Sequence, residues 1–135
     1  VHGMHTMVLR LNPGDDLRTA LDLALKQSGS KAAFVVSGIG SLAGASIRFA
    51  EAEAPTRIEG ALEILTLAGS LSPDGSHLHI SVSDAEGHVF GGHAAPGCVV
   101  RTTAEILIAQ LPDWQFSRET DAATGYAELV PRHQP

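Results

Sequence analysis

The sequence predicts a single α+β domain, a mixed and largely antiparallel β-sheet with few flanking helices. Three observations carry that expectation. Short apolar, β-branched segments separated by Gly and Pro breaks recur along most of the chain. Only one early segment repeats its apolar residues at helical spacing. The chain has 135 residues, 44% of them hydrophobic and only 4% aromatic, so one core of Leu, Ile, Val and Ala can form without disulfide staples. No repeat or low-complexity segment interrupts it, and residues 1–135 are expected to form one domain, with 131–135 a frayed tail. Val1, His2 and Gly3 precede Met4 and read either as an appended remnant or as native chain.

The first strand is expected over Met4 to Leu11, ended by Asn12, Pro13 and Gly14. A helix follows, capped by Asp15 or Asp16. It presents Leu17, Leu21, Ala24 and Leu25 on one face and stops at Gly29. Phe34, Val35 and Val36 form a strand-like run, and Ser37 to Ser41 reads as a tight connection between strands. Its glycines lack the spacing of a dinucleotide fingerprint. Strands are expected over Gly44 to Ala52 and Arg57 to Leu67, the second near the centre of the sheet with Glu63 as its polar exception. Gly69 to Gly75 reads as a turn. His77 to Ser83 and His88 to His93 form a hairpin around Asp84 to Gly87, and Cys98 to Leu111 is a further strand. Trp114 to Glu119 reads as an edge strand and Tyr126 to Val130 as the last one.

The formal charge is −6, from nine Lys and Arg against fifteen Asp and Glu, and the basic residues are scattered singly. Nucleic acid is therefore given no general attraction to the chain. Cys98 is the only cysteine, no apolar run approaches the roughly 20 residues of a spanning helix, and a cytoplasmic protein is expected.

The hairpin carries the chemistry. His77 and His79 are two apart, so on a strand both imidazoles leave from the same face. Pairing Ser83 with His88 puts His93 on the wrong face. A one-residue bulge at Gly91 and Gly92 restores the parity and sets His93 opposite His79. Three neutral imidazoles suit a divalent metal, zinc above all, and Glu63 is the candidate for the fourth position. The bland alternative is that these are half-exposed strand histidines. His88 belongs to the hairpin turn; His2, His5 and His133 lie near the termini; Cys98, beside Val99 and Val100, reads as a small buried hydrophobe. Ser37, Ser41, Ser70 and Ser81 sit in no nucleophile elbow. Arg10, Glu63, Arg118 and Glu119 are candidates for ion pairs.

Five segments carry a family resemblance: RLNPGDDL (10–17), SGIGSL (37–42), GALEILTLAGSLSPDG (60–75), HLHISVSDAEGHVFGGH (77–93) and RETDAATGYAEL (118–129). Together they resemble the plants and prokaryotes conserved (PPC) domain, also called domain of unknown function 296, in its bacterial stand-alone form. The resemblance implies a homotrimer, and it implies that His77, His79 and His93 are the metal-site positions. Plant relatives fuse the domain to AT-hook motifs that bind DNA. This chain has no such motif and no basic extension, so nucleic acid is not an expected partner. The leading expectation is a homotrimeric domain with a three-histidine metal site beside a small-molecule pocket, its activity open. A DNA-associated regulator and a purely structural trimeric module are the alternatives.

Overall fold

The computed structural model describes residues 3–135, and His2 lies outside the described residues. In chain order the elements are β1 (His5–Leu11), α1 (Leu17–Ser28), β2 (Ala33–Arg48), β3 (Thr56–Ser72), β4 (Gly75–Ser83), β5 (Val89–Ala94), β6 (Val99–Gln110), β7 (Trp114–Thr120) and β8 (Ala127–His133). The first six strands make one sheet in the order β1-β6-β2-β3-β4-β5, and β7 and β8 make a separate ribbon. Every pairing among the described residues is antiparallel. The far end of β2 also pairs with β5, Ile47 with Ala94 and Arg48 with His93, so β2, β3, β4 and β5 close into a circuit of strands.

Helix α1 forms as its residues dictate. The Asp16 side chain accepts a hydrogen bond from the Thr19 amide at 3.0 Å, and Gly29 takes the left-handed conformation that ends the helix. Leu17, Leu21 and Leu25 are buried against β3 and β4 and belong to the core shared with Leu42, Leu67 and Leu78. Leu21 is fully buried in that layer. Leu21→Ala is expected to lower the unfolding free energy by about 2–5 kcal/mol, from lost burial plus the cavity left behind, as read from urea denaturation. No helix among the described residues is long and apolar enough to cross a membrane.

Three expectations are corrected. Residues 37–41 are not a connection, because β2 runs through them as one 16-residue strand. Here the glycines serve close packing: a side chain at Gly40 would run into the backbone of Thr103 and Ala104 on β6, while Gly38 faces Leu67 on β3. The segment from Gly69 is likewise strand up to Ser72, and the turn is confined to Pro73 and Asp74. The expected frayed tail is in part strand, since β8 reaches His133. A shift in the β3–β4 register between Ile64 and Thr66 also settles how β3 uses its apolar run. Leu62, Ile64, Leu67 and Leu71 all reach the core, while Leu65 stays exposed.

Candidate metal centre

Strand β4 alternates strictly. Ser76, Leu78, Ile80 and Val82 are buried, which leaves His77, His79, Ser81 and Ser83 on the opposite face. Across the ladder His79 pairs with His93 and Ser83 with Val89, in unbroken register. The bulge expected at Gly91 and Gly92 is therefore absent. The parity is corrected in the turn instead: the Asp84 amide donates to the His88 carbonyl at 2.9 Å, and Gly87, at φ 82°, closes the loop. The Asp84 carboxylate accepts the Glu86 and His88 amides at 3.0 and 2.8 Å, which fixes this turn and with it the register. Gly92 has another task. A Cβ there would stand 2.5 Å from the Arg48 carbonyl oxygen, so glycine is what lets the end of β2 close onto β5 beside His93.

The three rings converge. Ring centroids lie 5.0 Å apart for His77 and His79, 5.1 Å for His77 and His93, and 4.8 Å for His79 and His93. One nitrogen from each comes within 4.8 Å of the others. Tetrahedral zinc–imidazole bonds of about 2.0–2.1 Å require nitrogens about 3.3 Å apart, so small side-chain rotations bring this set onto one ion. No ring nitrogen of the three hydrogen-bonds to a described residue, which leaves every lone pair available. Their burial grades from half-buried, for His77 and His93, to exposed for His79. The donor set fits a divalent ion approached from solvent.

Burial lowers the pKa of His77, and the Arg118 guanidinium with the two neighbouring imidazoles adds to it. Burial also lowers that of His93, helped by Arg48, His79 and Arg18. Both rings are thus held neutral, the form that ligates. The sign for folding follows. Below the ordinary histidine pKa the unfolded chain binds these protons and the folded chain does not, so the metal-free protein loses stability as pH falls from about 6.5 to the depressed folded values. A urea-denaturation series from pH 7.5 to about 5 is expected to show this decline, and the double variant His77→Gln/His93→Gln is expected to flatten it.

The remaining candidates separate from this site. Glu63 pairs with Ser83, four residues along β4 from His79 or about 13 Å at strand rise, and its side chain is exposed. It is therefore not the fourth ligand of the cluster. His88 belongs to the turn, with Nδ1 3.2 Å from Asp84 Oδ2; this exposed group, with Glu86, serves the loop. His5 and His133 are exposed and take no part in the cluster, His133 standing against Trp114. Cys98 is fully buried, its thiol pKa raised by that burial, with Sγ 3.5 Å from the Ser46 and Ala95 carbonyls. Glu119 pairs with Arg132 at 2.7 Å, and Arg10 makes no ion pair with a described residue.

Beside the histidines lies an open pocket of about 610 Å³. Sequence reasoning singles out Arg118 only as an ion-pair candidate and does not bring it together with Arg18 and Arg48, because the three come from β7, α1 and β2, far apart in the chain. Arg118 is placed by its amide, which donates to Asp74 Oδ2 at 2.9 Å, and by its guanidinium, which donates to Ser70 Oγ at 2.7 Å.

Residues 1–112 match the family model described as the Plants and Prokaryotes Conserved (PCC) domain. The chain belongs to this family. The match includes the whole six-stranded sheet and the three histidines, and stops short of the β7–β8 ribbon. Among curated relatives, the PCC chain is 50% identical over 121 residues to a protein of Synechococcus sp. (strain JA-2-3B'a(2-13)) named "Bifunctional protein GlmU". That alignment covers 90% of this chain and 19% of the relative, so the domain spans about a fifth of that protein's length. Among solved structures it is similar to a hypothetical protein from Salmonella cholerae-suis, at TM-score 0.95 and 38% identity, covering 100% of this chain and 98% of the other. It is also similar to a protein from Archaeoglobus fulgidus described as metal-containing, at TM-score 0.81 and 27% identity, covering 93% of each chain.

Proposed function

We propose that this PCC domain binds a divalent metal ion, zinc in the first instance, through His77, His79 and His93, beside a small-molecule pocket and within a homotrimer. The observation that carries the reading is the convergence of three imidazoles, free of hydrogen bonds to described residues, on one solvent-facing point. The metal-containing Archaeoglobus fulgidus protein, similar over 93% of this chain, supports it. Three nitrogen ligands leave a fourth position for water or a ligand group. When bound, such an ion supplies Lewis acidity and lowers the pKa of coordinated water, which suits it to metal-assisted hydrolysis. The residues themselves hold the ion and keep two of its three ligands neutral. For assembly, Val8, Val36, Ile39 and Leu65 expose apolar surface on β1, β2 and β3, of the kind a subunit contact covers.

Elemental analysis of the dialysed protein tests the metal reading. About one zinc ion per chain is expected, falling in each of His77→Ala, His79→Ala and His93→Ala. Unchanged stoichiometry in all three variants removes it. Light scattering with and without chelator tests the assembly. A trimer that persists after chelation, with no metal or ligand in any preparation, favours a purely structural module instead.

A further inference from the structure

We infer that the pocket beside the histidines is built for the oxyanion group, phosphate or carboxylate, of a small molecule, gripped by Arg48 and Arg118 with Arg18 at its edge. The inference rests on the metal reading for its orientation, but its own support is independent of it. Arg48 is the cross-strand partner of His93, and Arg118 bonds Ser70, the cross-strand partner of His77. The two guanidiniums are thereby fixed on either side of the imidazole cluster, and Arg18 joins them in lining the same open space.

None of the three arginines makes an ion pair with a carboxylate among the described residues. Each of the fixed pair spends little of its capacity: Arg48 donates to the Ala52 carbonyl at 3.2 Å and Arg118 to Ser70 Oγ. A guanidinium has five N–H donors in a planar fork that matches an oxyanion. Three guanidiniums that line one pocket, none of them ion-paired to a described carboxylate, keep N–H donors that an anion can take up.

The pocket's other charges limit what that anion can be. Glu51, Asp74 and Glu128 also line it, and Asp74 is engaged with the Arg118 amide. A long polyanion such as nucleic acid would meet these carboxylates, whereas a compact molecule can turn its anionic group to the arginines and hydroxyl or amino donors to Glu51 and Glu128. Glu51 also has φ 61°, the only positive φ outside glycine among the described residues. Its turn carries the Ala52 carbonyl that anchors Arg48, and such backbone is kept where surrounding structure demands it.

The test titrates inorganic phosphate and, separately, malonate into cobalt-loaded protein at constant ionic strength, reading affinity by calorimetry and the cobalt absorption band. Binding is expected in the wild type. It is expected to weaken by about tenfold to a hundredfold in Arg48→Gln and in Arg118→Gln, while cobalt stoichiometry, the far-ultraviolet circular dichroism and an Arg101→Gln control stay unchanged. Arg48→Lys, which keeps charge and loses the fork, is expected to recover only part of the affinity. Tighter phosphate identifies a phosphoryl ligand, and tighter malonate a carboxylate. Wild-type affinity in both glutamine variants, or no binding of either probe at millimolar concentration, overturns the inference and leaves the metal site standing. If the chain takes up no cobalt, the metal reading falls alone; the same titrations of metal-free protein then decide the anion site by the same two outcomes.

Discussion

Alanine at position 92 is expected to destabilise the protein by about 1–3 kcal/mol and to abolish metal loading, two effects with one cause. The added Cβ would meet the Arg48 carbonyl oxygen at 2.5 Å and Ile47 Cγ2 at 3.0 Å. Both neighbours sit in the short β2–β5 ladder, where Ile47 pairs with Ala94 and Arg48 with His93. Neither is the far end of a flexible side chain, because one is main chain and the other belongs to a fully buried residue. Relief must come from separating β5 from β2, which opens the circuit of strands and carries His93 away from His77 and His79. Gly91→Ala is the matched comparison. Its Cβ would find the Ile80 carbonyl oxygen at 3.1 Å, a contact a small backbone shift can relax, so a milder loss with metal retained is expected. Urea denaturation and elemental analysis of the two variants check both effects.

His79→Ala is expected to weaken zinc binding by roughly 100-fold, and His88→Ala not to change it. A four-ligand zinc site is worth roughly 10–16 kcal/mol in total, which assigns about 3 kcal/mol to a single ligand. His79 lies within 5.0 Å of both other rings, and its removal leaves two nitrogens that cannot enclose the ion. His88 is nine residues further along, tied to Asp84 in the turn. Competition against a chromophoric chelator measures both affinities. Equal losses in the two variants would mean that zinc binds the surface at large rather than this cluster.

Much of the fold, and half of the site's logic, is legible in the sequence because period-two alternation leaves little choice. With Leu78, Ile80 and Val82 committed to the core, His77 and His79 must share the outer face. Helix α1 is equally legible, since Asp16, the leucine spacing and Gly29 all mark the same segment. Glycine is where local reading fails. At 37–41 and again from Gly69 it suggests a turn, whereas the structure uses it to let neighbouring backbones approach within long strands. The placing of His93 shows the same ambiguity. A bulge in the ladder and one more residue in the turn give identical parity, and the Asp84 hydrogen bonds select the turn. Glu63 is drawn toward the site in the sequence by being a carboxylate on an apolar strand. Its register opposite Ser83 leaves it exposed and apart. The grouping of Arg18, Arg48 and Arg118 is beyond local reading for a different reason: convergence of α1, β2 and β7 is a property of the tertiary fold alone.

X-ray absorption spectroscopy at the zinc edge of the metal-loaded protein tests the central claim most directly. Three imidazole nitrogens at about 2.0–2.1 Å are expected, with one oxygen from water or a bound ligand group completing the shell, and the imidazole signal should fall by about a third in His79→Ala. A shell of oxygen alone, or a spectrum that the substitution leaves unaltered, would contradict the account.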